Sequence, residues 1–188
     1  IAAISIFTNF LQKDQCKTFV LKDDLKNTEI VNLSELAAQV RFIKLEYNPD
    51  CALSFIKDAI IFSEFVLVCD VKNNLHLFNQ DGKFLHRIGK IGRGPGEYTN
   101  ILSVDVDTKA KLIYVLNNSS QKLIAYDYQG NFISSPIPCT DKISFCIYNE
   151  KFYLHTPSNV MLLRNNPDKK TKNQLTEFNS KGDLLNTY

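Results

Sequence analysis

Three stretches of this chain can be laid over one another: "LHLFNQDGKFLHRIG" at 75–89, "LIAYDYQGNFISSPI" at 123–137 and "LTEFNSKGDLLNTY" at 175–188. Glycines align at 82, 130 and 182, spaced 48 and then 52 residues apart. Each copy carries an aromatic residue, a short polar run, the glycine and then an apolar pair. A period of this size means that one supersecondary unit has been copied, and it limits the fold more than any other feature of the chain. Each copy reads as a β-hairpin turning at Asp81-Gly82, Gln129-Gly130 or Lys181-Gly182, where glycine supplies the positive φ of a tight turn. Two further strand-like runs precede each hairpin: "LSFIKDAIIF" and "FVLVCDV", "ILSVDVD" and "KLIYVLN", "KISFCIY" and "KFYLHT". Four antiparallel strands recurring at this interval predict an all-β chain, a β-propeller of four-stranded blades with three blades present, at about 51–98, 99–140 and 141–188. A single β-sandwich is the alternative, but it gives no reason for the register of aromatic, glycine and apolar pair to recur.

The segment before residue 51 reads differently. "IAAISIFTNF" has the apolar character of an export-signal core and equally of a first strand, and it is too short to span a bilayer as a helix. "NLSELAAQV" at 32–40 predicts a short helical turn capped by Asn32 or Ser34, and "RFIKLEY" at 41–47 a strand. The sequence around Cys16 lacks the small apolar residues of a lipid-attachment site, so membrane contact is expected only through a lost N-terminal anchor. Five cysteines without C-x-x-C spacing define neither a zinc site nor a disulfide framework, and Cys69 and Cys146, inside apolar runs, read as small buried hydrophobes. With 188 residues, 22% of them charged, and a formal net charge of +2, the composition points to neither nucleic acid nor a membrane surface as partner.

Four of the seven glycines fall in "GKIGRGPGEY" at 89–98. A phosphate-cradling loop needs G-x-x-x-x-G-K-[ST], or G-x-G-x-x-G leading into a helix, whereas here Pro95 removes an amide donor and the strand-like "ILSVDVD" follows. The loop therefore reads as scaffold: the chain crosses from the outer strand of one unit to the inner strand of the next, with Glu97 bonding loop amides and Tyr98 packing between units.

With "RFIKLEY" upstream, "LFNQDGKFLHRIGKIGRGPGEYTNI" resembles the six-bladed β-propeller proteins of Bacteroides-type bacteria, relatives of the NHL-repeat propellers. Gly92, Gly94, Pro95, Gly96, Glu97 and Tyr98 match their G-x-G-P-G-E-Y mark over a resemblance covering about residues 30–188. The resemblance implies export to the periplasm or cell surface, often as a lipoprotein. Three units instead of six then imply a fragment lacking its C-terminal blades, or two copies closing one ring.

If strands alternate in direction, one end of the sheets gathers "VKNN" at 71–74, the glycine loop, "NNSSQ" at 117–121 and part of the polar stretch 155–174. Asn73, Arg93, Asn117 and Arg164 are its candidate ligand-binding residues, since binding side chains concentrate on loops held by rigid scaffolds. His76, His86 and His155 lie in separate apparent strands, and Asp70, Asp105 and Asp107 lack calcium-loop spacing, so no catalytic, cofactor or metal residues are assigned. The expected function is a non-enzymatic binding or interaction module of the cell envelope, for a glycan, peptide or partner protein. A propeller hydrolase or lyase working at the central channel, or a half-propeller assembling as a homodimer, is the alternative.

Overall fold

The computed structural model describes residues 3–5, 40–118, 122–140, 142–156 and 174–188. Among these there is no helix. The expected helical turn at 32–40 falls, but for its last residue, outside them, as does Arg164. The chain divides into two compact units, Ile1–Leu45 and Glu46–Tyr188. In the first, β1 (Ala3–Ser5) pairs antiparallel with β2 (Phe42–Lys44).

The second unit holds three four-stranded antiparallel sheets, each a meander of consecutive strands. Sheet I is β3 (Ile56–Phe62), β4 (Phe65–Asp70), β5 (Leu75–Asn79) and β6 (Phe84–Arg87). A short parallel pair, β7 (Lys90–Ile91) with β8 (Glu97–Tyr98), lies in the connection to sheet II. Sheet II is β9 (Ile101–Asp107), β10 (Leu112–Asn117), β11 (Lys122–Asp127) and β12 (Phe132–Pro138). Sheet III is β13 (Ser144–Tyr148), β14 (Lys151–Thr156), β15 (Gln174–Phe178) and β16 (Leu184–Thr187). No strand of one sheet is hydrogen-bonded in register with a strand of another.

The repeated turn is one residue longer than the two-residue hairpin expected from the Asp-Gly, Gln-Gly and Lys-Gly pairs. Gly82, Gly130 and Gly182 donate to the carbonyls of Asn79, Asp127 and Asn179, each at 3.0 Å, and have φ of 81°, 84° and 86°. This is a three-residue loop with glycine in the left-handed position, the arrangement that follows a β-turn with a bulge. The first residue sets it. Asn79 Oδ1 accepts from the amides of Asp81 and Lys83, Asp127 Oδ1 from Gln129 and Asn131, and Asn179 Oδ1 from Lys181 and Asp183, all at 2.8–3.0 Å. A short side chain whose oxygen accepts from the backbone two and four residues on favours the turn through local bonds alone.

Strand alternation then sorts the residues of each sheet onto two faces. Leu67, Cys69, Leu75 and Leu77 of sheet I pack with Val104, Ile113, Val115, Ile124 and Tyr126 of sheet II. From the other face of sheet II, Tyr114, Leu116, Leu123 and Ala125 meet Phe145, Phe152, Leu154 and Phe178 of sheet III. Tyr114 and Phe152 meet edge to face, with ring centroids 4.9 Å apart. Each such side chain contributes about 1.5–3 kcal/mol when fully buried, so the stacking of sheets carries most of the stabilisation. Burial also pushes the Cys69 thiol up to about 11. Cys146 departs from expectation: it is exposed, because it stands on the face of sheet III opposite Phe145 and Ile147, away from sheet II.

The far face of sheet I is buried as well, through Val66, Val68, His76 and Phe78. Neither ring nitrogen of His76 has a hydrogen-bond partner among the described residues, and the ring stands edge-on to Phe78 and Phe84 at 6.2 and 5.5 Å. Burial, reinforced by Arg87 and opposed by Asp70, lowers its pKa. A histidine kept neutral in the fold contributes fully above its unfolded value, near 6.5, and loses that contribution as the pH falls toward the lower folded value. Urea unfolding between pH 8 and 5.5 should show stability declining through this window in the native chain, and His76→Phe should flatten the decline. A Cβ on Gly182 would stand 2.8 Å from the Pro136 carbonyl oxygen, in addition to the cost of left-handed backbone. Gly182→Ala should lower the unfolding free energy by about 2 kcal/mol, measured by the same urea titration.

Candidate functional site

Beyond β6 the chain runs into the glycine loop, which is closed on itself and bolted to sheet II. Gly92 donates to the Tyr98 carbonyl at 2.9 Å and Glu97 to the Gly94 carbonyl at 3.0 Å. The Glu97 carboxylate fills the loop, accepting from the Gly94 amide at 2.8 Å and pairing with Lys90 at 3.0 Å. These contacts, the Gly94 amide first and then Lys90, hold its carboxyl below the usual range. Any side chain at Gly92 would overlap that carboxylate. Tyr98 is buried and donates to the Ile88 carbonyl at 2.8 Å, while Tyr126 of sheet II donates to the Gly96 carbonyl at 2.8 Å. The two rings meet edge to face at 6.4 Å, and burial raises both phenol pKa values.

A second set of polar contacts ties the loop's end of the sheets together. Asp70, at the end of β4, accepts from the Ser54 amide and hydroxyl and from Lys72 and Asn74; burial opposes its ionisation, but these bonds outweigh it and leave its pKa lowered. Asn117 holds the matching place at the end of β10, its Oδ1 accepting from the Thr99 amide and hydroxyl and from the Asn100 amide at 3.1–3.2 Å. Asn73, in the left-handed region at φ 64°, accepts from the Ile101 amide at 3.0 Å. The structure thus brings Asn73 and Asn117 onto one segment, residues 99–101, and commits the side-chain carbonyl of each to backbone.

Arg93 differs. It is exposed, its guanidinium forms no ion pair among the described residues, and it lines an open cleft of about 540 Å³ beside the loop. Glu97, Thr99, Asn117, Phe132 and Ser134 share that lining. Phe132 is 47% exposed on β12, and its ring packs so closely over Gly96 that a Cβ there would fall 2.5 Å from it. A cation, hydroxyls and an exposed aromatic ring on a locked loop can hold a polar ligand. Phe132 and Ser134 carry no sequence signal for this place, Phe132 standing in the repeat at the position of Phe84.

His76 and His86 lie on opposite faces of sheet I, and His155 lies on β14 of sheet III. Asp105 accepts from the Ile147 amide at 2.6 Å, linking inner strands β9 and β13, and burial raises its pKa. No group of three metal-ligating side chains occurs among the described residues, and no helix among them is long and apolar enough to cross a membrane.

The family model described as a domain of unknown function, DUF4934, matches residues 16–188. No curated protein matches the chain. Among solved structures, a Bacteroides fragilis protein described as exported shares the fold at a TM-score of 0.60 and 21% identity, over 79% of this chain and 41% of its own. The chain therefore spans less than half of that protein's length. PorZ, an essential bacterial surface component of the type-IX secretion system of Porphyromonas gingivalis, matches at a TM-score of 0.45 and 10% identity over 78% of this chain and 18% of its own. The β-propeller domain of Cps50 (Swd1) from Myceliophteria thermophila matches at a TM-score of 0.37 and 12% identity over 71% of this chain and 41% of its own.

Because the Glu97 pKa is depressed in the fold, its hold on the loop is complete above the ordinary glutamate value, near 4.3, and is lost as pH falls through the lower folded value. Amide exchange at Gly94 should lose protection over that range in the native chain, and Glu97→Gln should show no acid-dependent step.

Proposed function

We propose, from the premise that this chain belongs to the DUF4934 family, that it is part of a β-propeller serving as a non-enzymatic binding module of the bacterial cell envelope. Its ligand surface is the cleft beside the glycine loop. Support for the propeller comes from the way the sheets stack: one face of sheet I packs on sheet II and the other face of sheet II on sheet III, with Gly130 and Gly182 each against the outer strand of the preceding sheet. The likeness to an exported Bacteroides fragilis protein supports placing the chain outside the cytoplasm.

One observation carries the ligand reading: Arg93 and the exposed Phe132 ring share a cleft whose loop wall is immobilised by Glu97, Tyr98 and Tyr126. A guanidinium beside an aromatic platform and the hydroxyls of Thr99 and Ser134 suits a glycan best, with the ring taking the apolar face of a sugar and the polar groups its hydroxyls. The other ionisable groups of the loop are committed to its own backbone or to each other.

A glycan panel read by thermal shift should give ligand-dependent stabilisation with no product on mass analysis. Arg93→Ala should weaken glycan binding about tenfold or more while leaving the ligand-free melting temperature unchanged, and Phe132→Ala should weaken it as much with a lower ligand-free melting temperature, since its ring also packs over Gly96 and against Tyr126. Turnover of any panel member, or unaltered affinity in both variants, would remove the reading.

A further inference from the structure

The opposite end of sheets I and II, where the hairpin turns lie, carries a larger cleft of about 850 Å³. Its walls come from the β3–β4 turn, β6, the β9–β10 turn and the residues following β11, with Phe65, Leu85, Leu112 and Tyr128 as the apolar part. Phe62, Phe65 and Tyr128 form an aromatic trio beneath, with ring centroids 5.3–5.7 Å apart. Two polar features stand against this surface. The Tyr128 hydroxyl is buried without a hydrogen-bond partner among the described residues, a state that folded proteins seldom keep. His86 Nε2 lies 3.0 Å from the Tyr128 carbonyl oxygen. A carbonyl only accepts, so Nε2 carries the proton and Nδ1 of the neutral ring is an acceptor.

The ring's orientation follows from Gly130, where a Cβ would stand 3.5 Å from His86 Cδ2 and 3.8 Å from Nε2. That edge is packed against the turn, so Nδ1 occupies the other edge. Of the charged side chains on the lining, Glu64 and Lys111 are of opposite sign, and the Asp127 carboxylate is taken up by the amides of Gln129 and Asn131 and by the Asn131 side chain. The volume falls in the range of about 300–1,000 Å³ usual for small-molecule sites, which combine an apolar lining with a few placed polar atoms.

We propose that this cleft binds a small aromatic molecule bearing one ring N–H or phenolic O–H. The ring packs against Phe65, Leu85, Leu112 and Tyr128, and its donor goes to His86 Nδ1. The site is separate from the glycine-loop cleft, with which it shares no lining residue.

The whole chain at pH 8 is titrated with indole, and separately with indene, which has the same bicyclic shape without the N–H, and amide and aromatic NMR shifts are followed. Shifts confined to Phe65, His86, Leu112, Tyr128 and Gly130, with indole binding about tenfold more tightly than indene, are expected for one added hydrogen bond. His86→Leu should bring the two affinities together, while His86→Gln, which keeps an acceptor, should preserve the preference. Leu85→Glu, at an exposed position where folding is tolerant, should abolish binding of both. Equal affinities for indole and indene in the native chain, shifts elsewhere in the protein, or no shift with either would overturn the proposal.

Discussion

A sheet of four short strands has two faces and no interior of its own, so each apolar face must be covered by something else. In this chain the requirement is met by stacking. Sheet II is buried on both sides, its alternate residues Ile113, Val115, Ile124 and Tyr126 facing sheet I and Tyr114, Leu116, Leu123 and Ala125 facing sheet III. The stack is indexed by contacts at its outer rim, where Gly130 lies against the Arg87 carbonyl and Gly182 against the Pro136 carbonyl. A side chain at either glycine would separate the sheets at the rim and open the apolar faces behind it. The left-handed backbone that makes the hairpin and the missing Cβ that lets it dock are thus one requirement on one residue.

The connection between sheets inherits its form from the same geometry. The chain leaves the outer strand β6 and must reach the inner strand β9, and the path passes directly beneath Tyr126 and Phe132 of the next sheet. A Cβ on Gly89 would stand 2.5 Å from the Tyr126 hydroxyl, and one on Gly96 equally close to Phe132. Gly89 and Gly96 are therefore required by what lies over the loop, and Gly92 and Gly94 by the Glu97 carboxylate within it. Glu97 then supplies from within what a missing core cannot, turning a backbone crossing into a fixed wall.

Much of this was legible in sequence because a repeat reports its own register. The four-stranded antiparallel sheets and their strand order follow from aligned glycines and alternating apolar residues. What escaped depended on contacts between units that no periodicity encodes. Asn79, Asp127 and Asn179 stand in the short polar run of each copy without a sequence mark of their own, although each organises its loop through one side-chain oxygen. Asn73 and Asn117 looked available to a ligand, yet both cap segment 99–101. Cys146 sat in an apolar run and was read as buried, whereas alternation from Phe145 puts it on the opposite, open face. Hydropathy marks that a strand is apolar; which face meets a neighbour depends on a sheet many residues away.

Sheet III shows how the stacking rule bends. Where sheets I and II present Leu77 and Ala125 toward the next sheet, sheet III presents Glu177, a carboxylate only 2% exposed. An isolated buried carboxylate is costly, and this one is not isolated: it accepts from Lys151 and Asn186 at 2.7 Å and from the Tyr188 hydroxyl at 2.8 Å. Lys151, Asn186 and Tyr188 together hold its pKa down at about 2. The donors come from β14, β16 and the residue that follows it, so the network also ties the outermost strand to the sheet. Beside it Tyr148 and Tyr188 remain 64% and 66% exposed. The carboxylate is thus satisfied by donors of its own sheet, and it places a polar group where the matching positions of sheets I and II are apolar.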